Sequence, residues 1–131
     1  MDRSIKICGF TNKESLEKAA SLEIEYAGLV FHPPSVRYLT IEKATEISLN
    51  ISKKIKLIGV FVNPSDEILN KSKKQLNLHG IQLHGNETVE RISQIKKNTD
   101  LLIIKAISIE KQKDIEFIKK FENVADMLLF D

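Results

Sequence analysis

The chain has 131 residues, of which 42% are hydrophobic and 29% are charged, and its formal net charge is +2 at pH 7. This composition is typical of a single globular domain, expected over residues 1–131, and the small net charge gives no indication of a nucleic-acid partner. The one cysteine, Cys8, excludes an internal disulfide and predicts a reducing, cytoplasmic location. Its spacing from the three histidines matches no metal-binding motif, so we expect no metal. The sequence contains neither a membrane-spanning apolar run nor the apolar core of a signal peptide.

Short apolar runs recur along the chain, with starts separated by roughly 20–30 residues, a spacing at which internal repeats are considered. The runs cover residues 5–10, 27–32, 56–62, 80–83, 101–107 and 126–130. Polar segments with apolar residues at helical spacing lie between them. This alternation predicts a βαβ chain that folds as a parallel sheet with right-handed crossovers.

Polar residues that are good helix N-caps mark several of the predicted helix starts. Thr11 and Glu14 have the spacing of a capping box that opens the first helix. Ser, Thr and Asn are favoured at later starts because their side chains accept hydrogen bonds from the first free backbone N–H groups. The later predicted N-caps are Thr40, Ser65, Asn86 and Ser108.

Two architectures fit this pattern: an open doubly wound sheet, or a (β/α)₈ barrel of which six of the eight units are seen. Alternation along the strands assigns Cys8, Lys105 and Asp131 to one face and an apolar set to the other. The predicted apolar set contains Ile5, Ile7, Ile104, Ala106, Leu128 and Phe130. Alternation does not choose between the two architectures.

Polar residues collect at the carboxyl ends of the predicted strands, namely Cys8, His32, Asn63, His84 and Asp131. The carboxyl ends of parallel strands meet at one rim, where α/β proteins perform their chemistry. Asn63 precedes a proline and is predicted to form a turn instead. A thiol and a carboxylate on one rim are suited to act as a base and an acid.

Two basic residues lie close to this predicted rim. Lys6 shares a strand face with Cys8, where it could favour the thiolate or form an internal ion pair with Asp131. Arg37 follows two consecutive prolines, Pro33 and Pro34, which predict a rigid loop after the second strand. Its guanidinium could bind a carboxylate or a phosphate bidentately, although spacing alone favours an ordinary surface arginine.

Six segments in register identify a family. They are Lys6-Ile-Cys-Gly9, Gly28-Leu-Val-Phe-His-Pro-Pro-Ser-Val-Arg37, Gly59-Val-Phe-Val-Asn63, Ile81-Gln-Leu-His-Gly85, Ile104-Lys-Ala-Ile107 and Leu128-Leu-Phe-Asp131. Together they resemble phosphoribosylanthranilate isomerases, the (β/α)₈-barrel enzymes of tryptophan biosynthesis. The resemblance therefore implies the TIM-barrel architecture.

The family resemblance also implies a reaction, the Amadori rearrangement of N-(5'-phosphoribosyl)anthranilate to the 1-deoxyribulose 5-phosphate. Cys8 matches the general base, and Asp131 matches the general acid. Arg37 matches the residue that binds the anthranilate carboxylate, and we expect His84 and Lys6 to contribute to substrate binding. A phosphorylated small molecule is the implied partner, and no cofactor is implied.

The sequence departs from the family pattern in two respects. His32-Pro33-Pro34 replaces a more usual Tyr-Pro-Lys type of loop start. The family has two further βα units after the aspartate strand, with glycine-rich phosphate-binding loops, so we expect a truncated barrel of six units. Its open edges predict self-association. The alternatives to an isomerase are a non-catalytic remnant of one and an open-sheet α/β binding domain.

Overall fold

The computed structural model describes residues 3–131, and their backbone forms strands and helices in strict alternation. The strands are β1 (Lys6–Cys8), β2 (Tyr26–Val30), β3 (Lys56–Phe61), β4 (Leu78–Leu83), β5 (Leu102–Ile107) and β6 (Met127–Phe130). The helices are α1 (Lys13–Ser21), α2 (Ile41–Ser48), α3 (Asp66–Gln75), α4 (Val89–Thr99) and α5 (Asp114–Ile118). Each predicted apolar run overlaps one of these strands, although β2 and β4 begin one and two residues before their runs.

The six strands form one parallel sheet in the sequential order β1-β2-β3-β4-β5-β6. A doubly wound sheet reverses its strand order at a switch point, and this sheet does not. Because every right-handed crossover advances in the same direction, all the helices fall on one face and the sheet curls into part of a barrel. The prediction of six barrel-type parallel βα units is confirmed.

The strand registers define the two faces of the sheet. Cys8 is paired with Gly28, and further along the sheet Ile104 is paired with Gln82 and Met127. These registers place Ile104 and Ala106 on the face of Cys8, the inner face, and Lys105 on the helix-covered outer face.

The predicted face assignment was therefore wrong for β5. Alternation fixes which residues of one strand share a face, but the phase between strands depends on register. The prediction assumed that the polar Lys105 lies on the same face as the polar Cys8. In the structure Lys105 is buried beneath the helices, on the other face.

The main hydrophobic core lies between the outer face and the helices. Each of the first four helices contributes at least one buried residue, such as Leu16, Ile47, Leu69 and Ile92. These residues pack against outer-face strand residues, which include Leu29, Phe61, Ile81, Leu83, Ile103 and Ile107. None of the helices within residues 3–131 combines the length and the hydropathy that crossing a bilayer requires.

The N-caps agree with the sequence at two helices and differ at three. Thr40 and Ser65 accept hydrogen bonds from Lys43 N and Ile68 N, as predicted. The observed N-caps of α1, α4 and α5 are Asn12, Thr88 and Lys113 rather than Thr11, Asn86 and Ser108. At α4 it is Thr88 Oγ1 that accepts from Arg91 N, while Asn86 lies in the preceding loop and its N–H donates to Asn63 Oδ1 at 3.0 Å.

Candidate functional site

An open pocket of about 590 Å³ lies on the inner face, at the carboxyl ends of the strands. Its polar lining consists of Lys6, Cys8, His32, Ser35, Arg37, Gln82, His84 and Asp131, and its apolar lining of Val30, Val60, Val62 and Leu129. All five residues that the sequence nominated as catalytic or substrate-binding therefore surround one pocket. They come from β1, from the loop after β2, and from the ends of β4 and β6.

Cys8 ends β1 and is half-buried at the rim of this pocket. Its neighbour across the sheet is Gly28. A Cβ atom at Gly28 would lie 2.7 Å from Cys8 Sγ, closer than real Cβ atoms approach their neighbours, and a tight 3.1 Å from Cys8 Cα. The absence of a side chain at Gly28 therefore leaves space for the thiol.

The loop between β2 and α2 holds Arg37 against the end of β1. Backbone hydrogen bonds from Ser35 N to His32 O and from Leu39 N to Val30 O fix the loop. Arg37 Nη1 donates to Cys8 O at 3.0 Å. This bond uses one of the five N–H donors of the guanidinium and leaves four for a ligand.

Gly9 permits this approach of the arginine. Its φ of +89° lies in the left-handed region that favours glycine, and a Cβ there would lie 2.5 Å from both Arg37 Cδ and Arg37 Nη1. The Cys8-Gly9 dipeptide thus presents a thiol to the pocket and admits the guanidinium beside it.

Asp131 faces His84 across the pocket, with 3.2 Å between Asp131 Oδ2 and His84 Nε2. The Asp131 side chain is 63% exposed. Its backbone is fixed by hydrogen bonds from Asp131 N to Ile107 O and from Ile109 N to Asp131 O. The predicted alternative role of Lys6 is wrong, since no ion pair among residues 3–131 joins Lys6 to Asp131.

A buried ion pair beside the pocket was not predicted. Lys105 Nζ lies 2.8 Å from Glu87 Oε1 and donates to Gly85 O at 2.7 Å. Glu87 Oε2 accepts from Asn63 N at 2.7 Å, and Gly85 N donates to the same carboxylate. The side chains of Lys105 and Glu87 are only 4% and 1% exposed.

This pair fastens the loops after β3 and β4, and thereby the segment that carries His84. The sequence feature that could have indicated this ion pair is Lys105, a charged residue inside an apolar run, because a buried charge requires a partner. The sequence did not indicate which acidic residue would supply it. Asn63, predicted as a turn residue, does turn the chain at a φ of 45° and points away from the pocket lining.

The fold and the pocket define a protein of the (β/α)-barrel class, with a thiol, a carboxylate and a guanidinium at the carboxyl ends of its strands. A thiol and a carboxylate on facing strands can transfer protons, and a guanidinium can hold an anionic group.

Comparison with known proteins identifies the family within that class. The profile of the family described as N-(5'-phosphoribosyl)anthranilate (PRA) isomerase matches residues 5–131, and the chain belongs to this family. It is 37% identical to the N-(5'-phosphoribosyl)anthranilate isomerase of Paracoccus denitrificans, with 98% of this chain and 60% of that protein covered. It is 35% identical to that of Paramagnetospirillum magneticum, with 100% and 61% covered. The chain thus spans about three fifths of the length of the curated relatives it matches.

Solved structures give the same result. The phosphoribosyl anthranilate isomerase of Thermotoga maritima superposes with a TM-score of 0.88 at 30% identity, covering 99% of this chain and 62% of that one. A phosphoribosyl anthranilate isomerase in complex with reduced 1-(o-carboxyphenylamino)-1-deoxyribulose 5-phosphate also superposes with a TM-score of 0.88, at 30% identity, covering 99% and 65%. The fold resemblance inferred from the sequence is confirmed.

Proposed function

We propose that the chain acts on N-(5'-phosphoribosyl)anthranilate and catalyses its Amadori rearrangement to the 1-deoxyribulose 5-phosphate, a step of tryptophan biosynthesis. The observation that carries this proposal is the single pocket that gathers Cys8, Arg37 and Asp131 in a member of the PRA isomerase family. The proposed location is the cytoplasm, which agrees with a free cysteine as the only thiol.

In this proposal Asp131 is the general acid and Cys8 is the general base. Asp131 protonates the ribose ring oxygen, and the ring opens to a protonated Schiff base. The positive imine acidifies the neighbouring C2′–H, and the Cys8 thiolate removes that proton. Lys6 lies two residues before Cys8 on the inner face and lines the same pocket, where its charge can contact an anionic part of the substrate.

Arg37 is the proposed binding group for the anthranilate carboxylate. Its bond to Cys8 O fixes the guanidinium at the rim, so the carboxylate would be held next to the thiol. His84 is the proposed neighbour of the acid, because its Nε2 contacts Asp131. Holding a reactant between fixed groups lowers the entropic part of the barrier.

A turnover assay of the purified chain with fluorescent N-(5'-phosphoribosyl)anthranilate tests the proposal. We expect Cys8→Ala and Asp131→Asn each to lower kcat by about 10²–10⁴, the usual worth of general acid–base catalysis, with little change in KM. Arg37→Ala should raise KM more than it lowers kcat, and Arg37→Lys should recover only part of the affinity. The exposed Arg3 provides the matched control, and Arg3→Ala should leave both constants unchanged.

The second candidate is a non-catalytic member of the family. The observation that favours it is the exposure of Asp131, since a general acid is most effective when it is held rigidly. The absence of turnover by the unaltered chain, or near-normal turnover by Cys8→Ala and Asp131→Asn, would decide against the catalytic proposal.

A further inference from the structure

Gln82 is a buried polar residue for which neither the sequence nor the reaction described above gives a role. It lies on the inner face of β4, two residues before His84, and is 3% exposed. Its register neighbours are Val60 on β3 and Ile104 on β5, so its side chain leaves an apolar strip of the sheet and reaches the pocket. An amide in such surroundings is costly unless its polar atoms are used.

The Gln82 amide uses one of its two polar ends. Its Nε2 lies 3.4 Å from His84 Nδ1. Its Oε1 is the buried side-chain polar atom that lacks a hydrogen-bond partner among residues 3–131. The contact with the histidine is thus the one hydrogen bond that the described residues offer this side chain.

The orientation of the amide follows from the cost of the alternative. Rotating the amide by half a turn would place Oε1 beside His84 Nδ1 and leave the NH₂ group unpartnered instead. That group carries two donors, whereas the carbonyl oxygen is an acceptor alone. Unpartnered buried N–H groups are also rarer in proteins than under-used carbonyl oxygens. The orientation in which Nε2 donates to His84 Nδ1 is therefore the more favourable one.

This donation determines where the proton of His84 lies. A ring nitrogen that accepts a hydrogen bond carries no proton, so the neutral imidazole must carry its proton on Nε2. The protonated Nε2 then faces Asp131 Oδ2, an acceptor, at 3.2 Å. Gln82 thus donates a hydrogen bond to His84, and His84 donates one to Asp131.

We propose that Gln82 is a positioning residue that holds His84 as the neutral tautomer protonated on Nε2 and directs that N–H at Asp131. The catalytic part of this inference rests on the proposed function, in which Asp131 must carry a proton to act as an acid. Because the His84 N–H engages Oδ2, it orients the carboxyl group and leaves Oδ1 as the oxygen that carries the proton to the substrate. Gln82 thereby supports the acid without touching the substrate.

Long-range ¹H–¹⁵N correlation spectra of the ¹⁵N-labelled chain test the tautomer at about pH 8, where an ordinary histidine is neutral. We expect His84 to show the pattern of an Nε2–H tautomer in the unaltered chain. In Gln82→Glu the new carboxylate accepts from the ring, so His84 should acquire a proton on Nδ1. In Gln82→Met, which folds without a buried charge, the Nδ1–H form should become populated. His79 lies exposed near the other end of the same strand and provides an internal control whose signals should not change.

The turnover assay supplies the second readout. Gln82→Met should lower kcat about tenfold, the worth of roughly one hydrogen bond, with KM nearly unchanged. Ile104→Val, which trims an apolar register neighbour of Gln82, should leave kcat unchanged.

The two readouts separate the possible failures. An unaltered His84 pattern in both Gln82 variants would overturn the positioning role, whatever the activity. A changed pattern with normal kcat would show that the tautomer is fixed by Gln82 but is not used in the reaction, and so overturn the catalytic part. A chain without turnover would overturn the proposed function, and the spectra would still decide the tautomer.

Discussion

The middle and the edges of the sheet differ in how they are built. The strands β3 and β5 are buried at every position but the first, and β4 at every position but the second. The edge strands β1 and β6 contain no fully buried residue, and Ile7, Met127 and Phe130 are 43%, 40% and 55% exposed. The two residues proposed for proton transfer, Cys8 and Asp131, both belong to the edges.

The middle of the sheet therefore determines the stability of the fold, and the edges carry the groups proposed for the reaction. The middle strands supply the core and the satisfied ion pair between Lys105 and Glu87, which hold the loops of the rim in place. The edges contribute reactive groups that depend on single contacts, such as the bond from Arg37 to Cys8 O. We therefore expect substitutions in the middle to change folding first, and substitutions at the edges to change the site first.

The largest expected effect is on the buried ion pair. Lys105→Met leaves the Glu87 carboxylate buried without its cation, which should lower the free energy of unfolding by about 3–5 kcal/mol in urea titrations. Adding Glu87→Gln removes the charge and should recover part of the loss. The exposed Lys53 is the control, and Lys53→Met should change the stability by less than about 0.5 kcal/mol. If Lys105→Met were as mild as the control, the middle of the sheet would not depend on this pair.

An intermediate effect is expected where the edge strand β1 meets β2. Gly28→Ala places a methyl group 2.7 Å from Cys8 Sγ, so the thiol and the strand must shift. We expect a loss of about 1–3 kcal/mol of stability, as for other overpacked sites, and an altered rate of thiol alkylation.

Removing the sulfur sharpens this test. In the background of Cys8→Ala, the same Gly28→Ala change should cost less, because the Sγ contact is gone and only the 3.1 Å approach to Cys8 Cα remains. Equal costs in the two backgrounds would contradict the steric role that we assign to Gly28.

A smaller effect is expected at Asp126, which joins the edge strand β6 to the middle. Asp126 Oδ2 accepts from Ile103 N at 2.7 Å and from Lys96 Nζ at 2.9 Å. Partial burial raises the pKa of this carboxyl, but these two hydrogen bonds outweigh it and hold the pKa below its usual value. The folded state therefore favours the ionised form.

The pH dependence of stability follows from the sign of this shift. The stabilisation is fully present above the unfolded pKa of about 3.9 and is lost as the pH falls through the lower, folded pKa. Asp126→Asn should cost about 1 kcal/mol at pH 7, and the difference from the unaltered chain should shrink in acid. Unfolding measured across the acid range would detect this, and a constant difference would exclude a charge-dependent role.

The smallest effect on stability is expected at the outer side of the edges. Ile7 on β1 and Phe130 on β6 are exposed apolar residues, so Ile7→Lys and Phe130→Lys should change the free energy of unfolding by less than about 0.5 kcal/mol in urea titrations. Leu22→Lys, at an exposed apolar residue away from the edge strands, is the matched control and should behave alike. A loss of several kcal/mol in the edge variants alone would contradict the contrast between the middle and the edges.

Much of the site could be predicted because its parts are local in sequence. A polar residue that ends an apolar run also ends a strand, and the ends of parallel strands share a rim, so the sequence alone predicts that Cys8, His84 and Asp131 lie close together. Arg37 was recognised by a proline-rich loop and by the family segments. The contributions of Gln82 and Glu87 were missed because each depends on partners that lie on neighbouring strands or loops.

The sequence by itself determined the six βα units and the identity of the family, because apolar runs, N-caps and linear motifs are properties of neighbouring residues. Only the tertiary structure decided the phase between strands, which placed Lys105 under the helices and Ile104 in the interior. It also decided the partner of Asp131, which is His84 rather than Lys6. Register, and the pairing of charges across strands, arise from contacts between residues far apart in the chain, and the polarity of a single residue does not specify them.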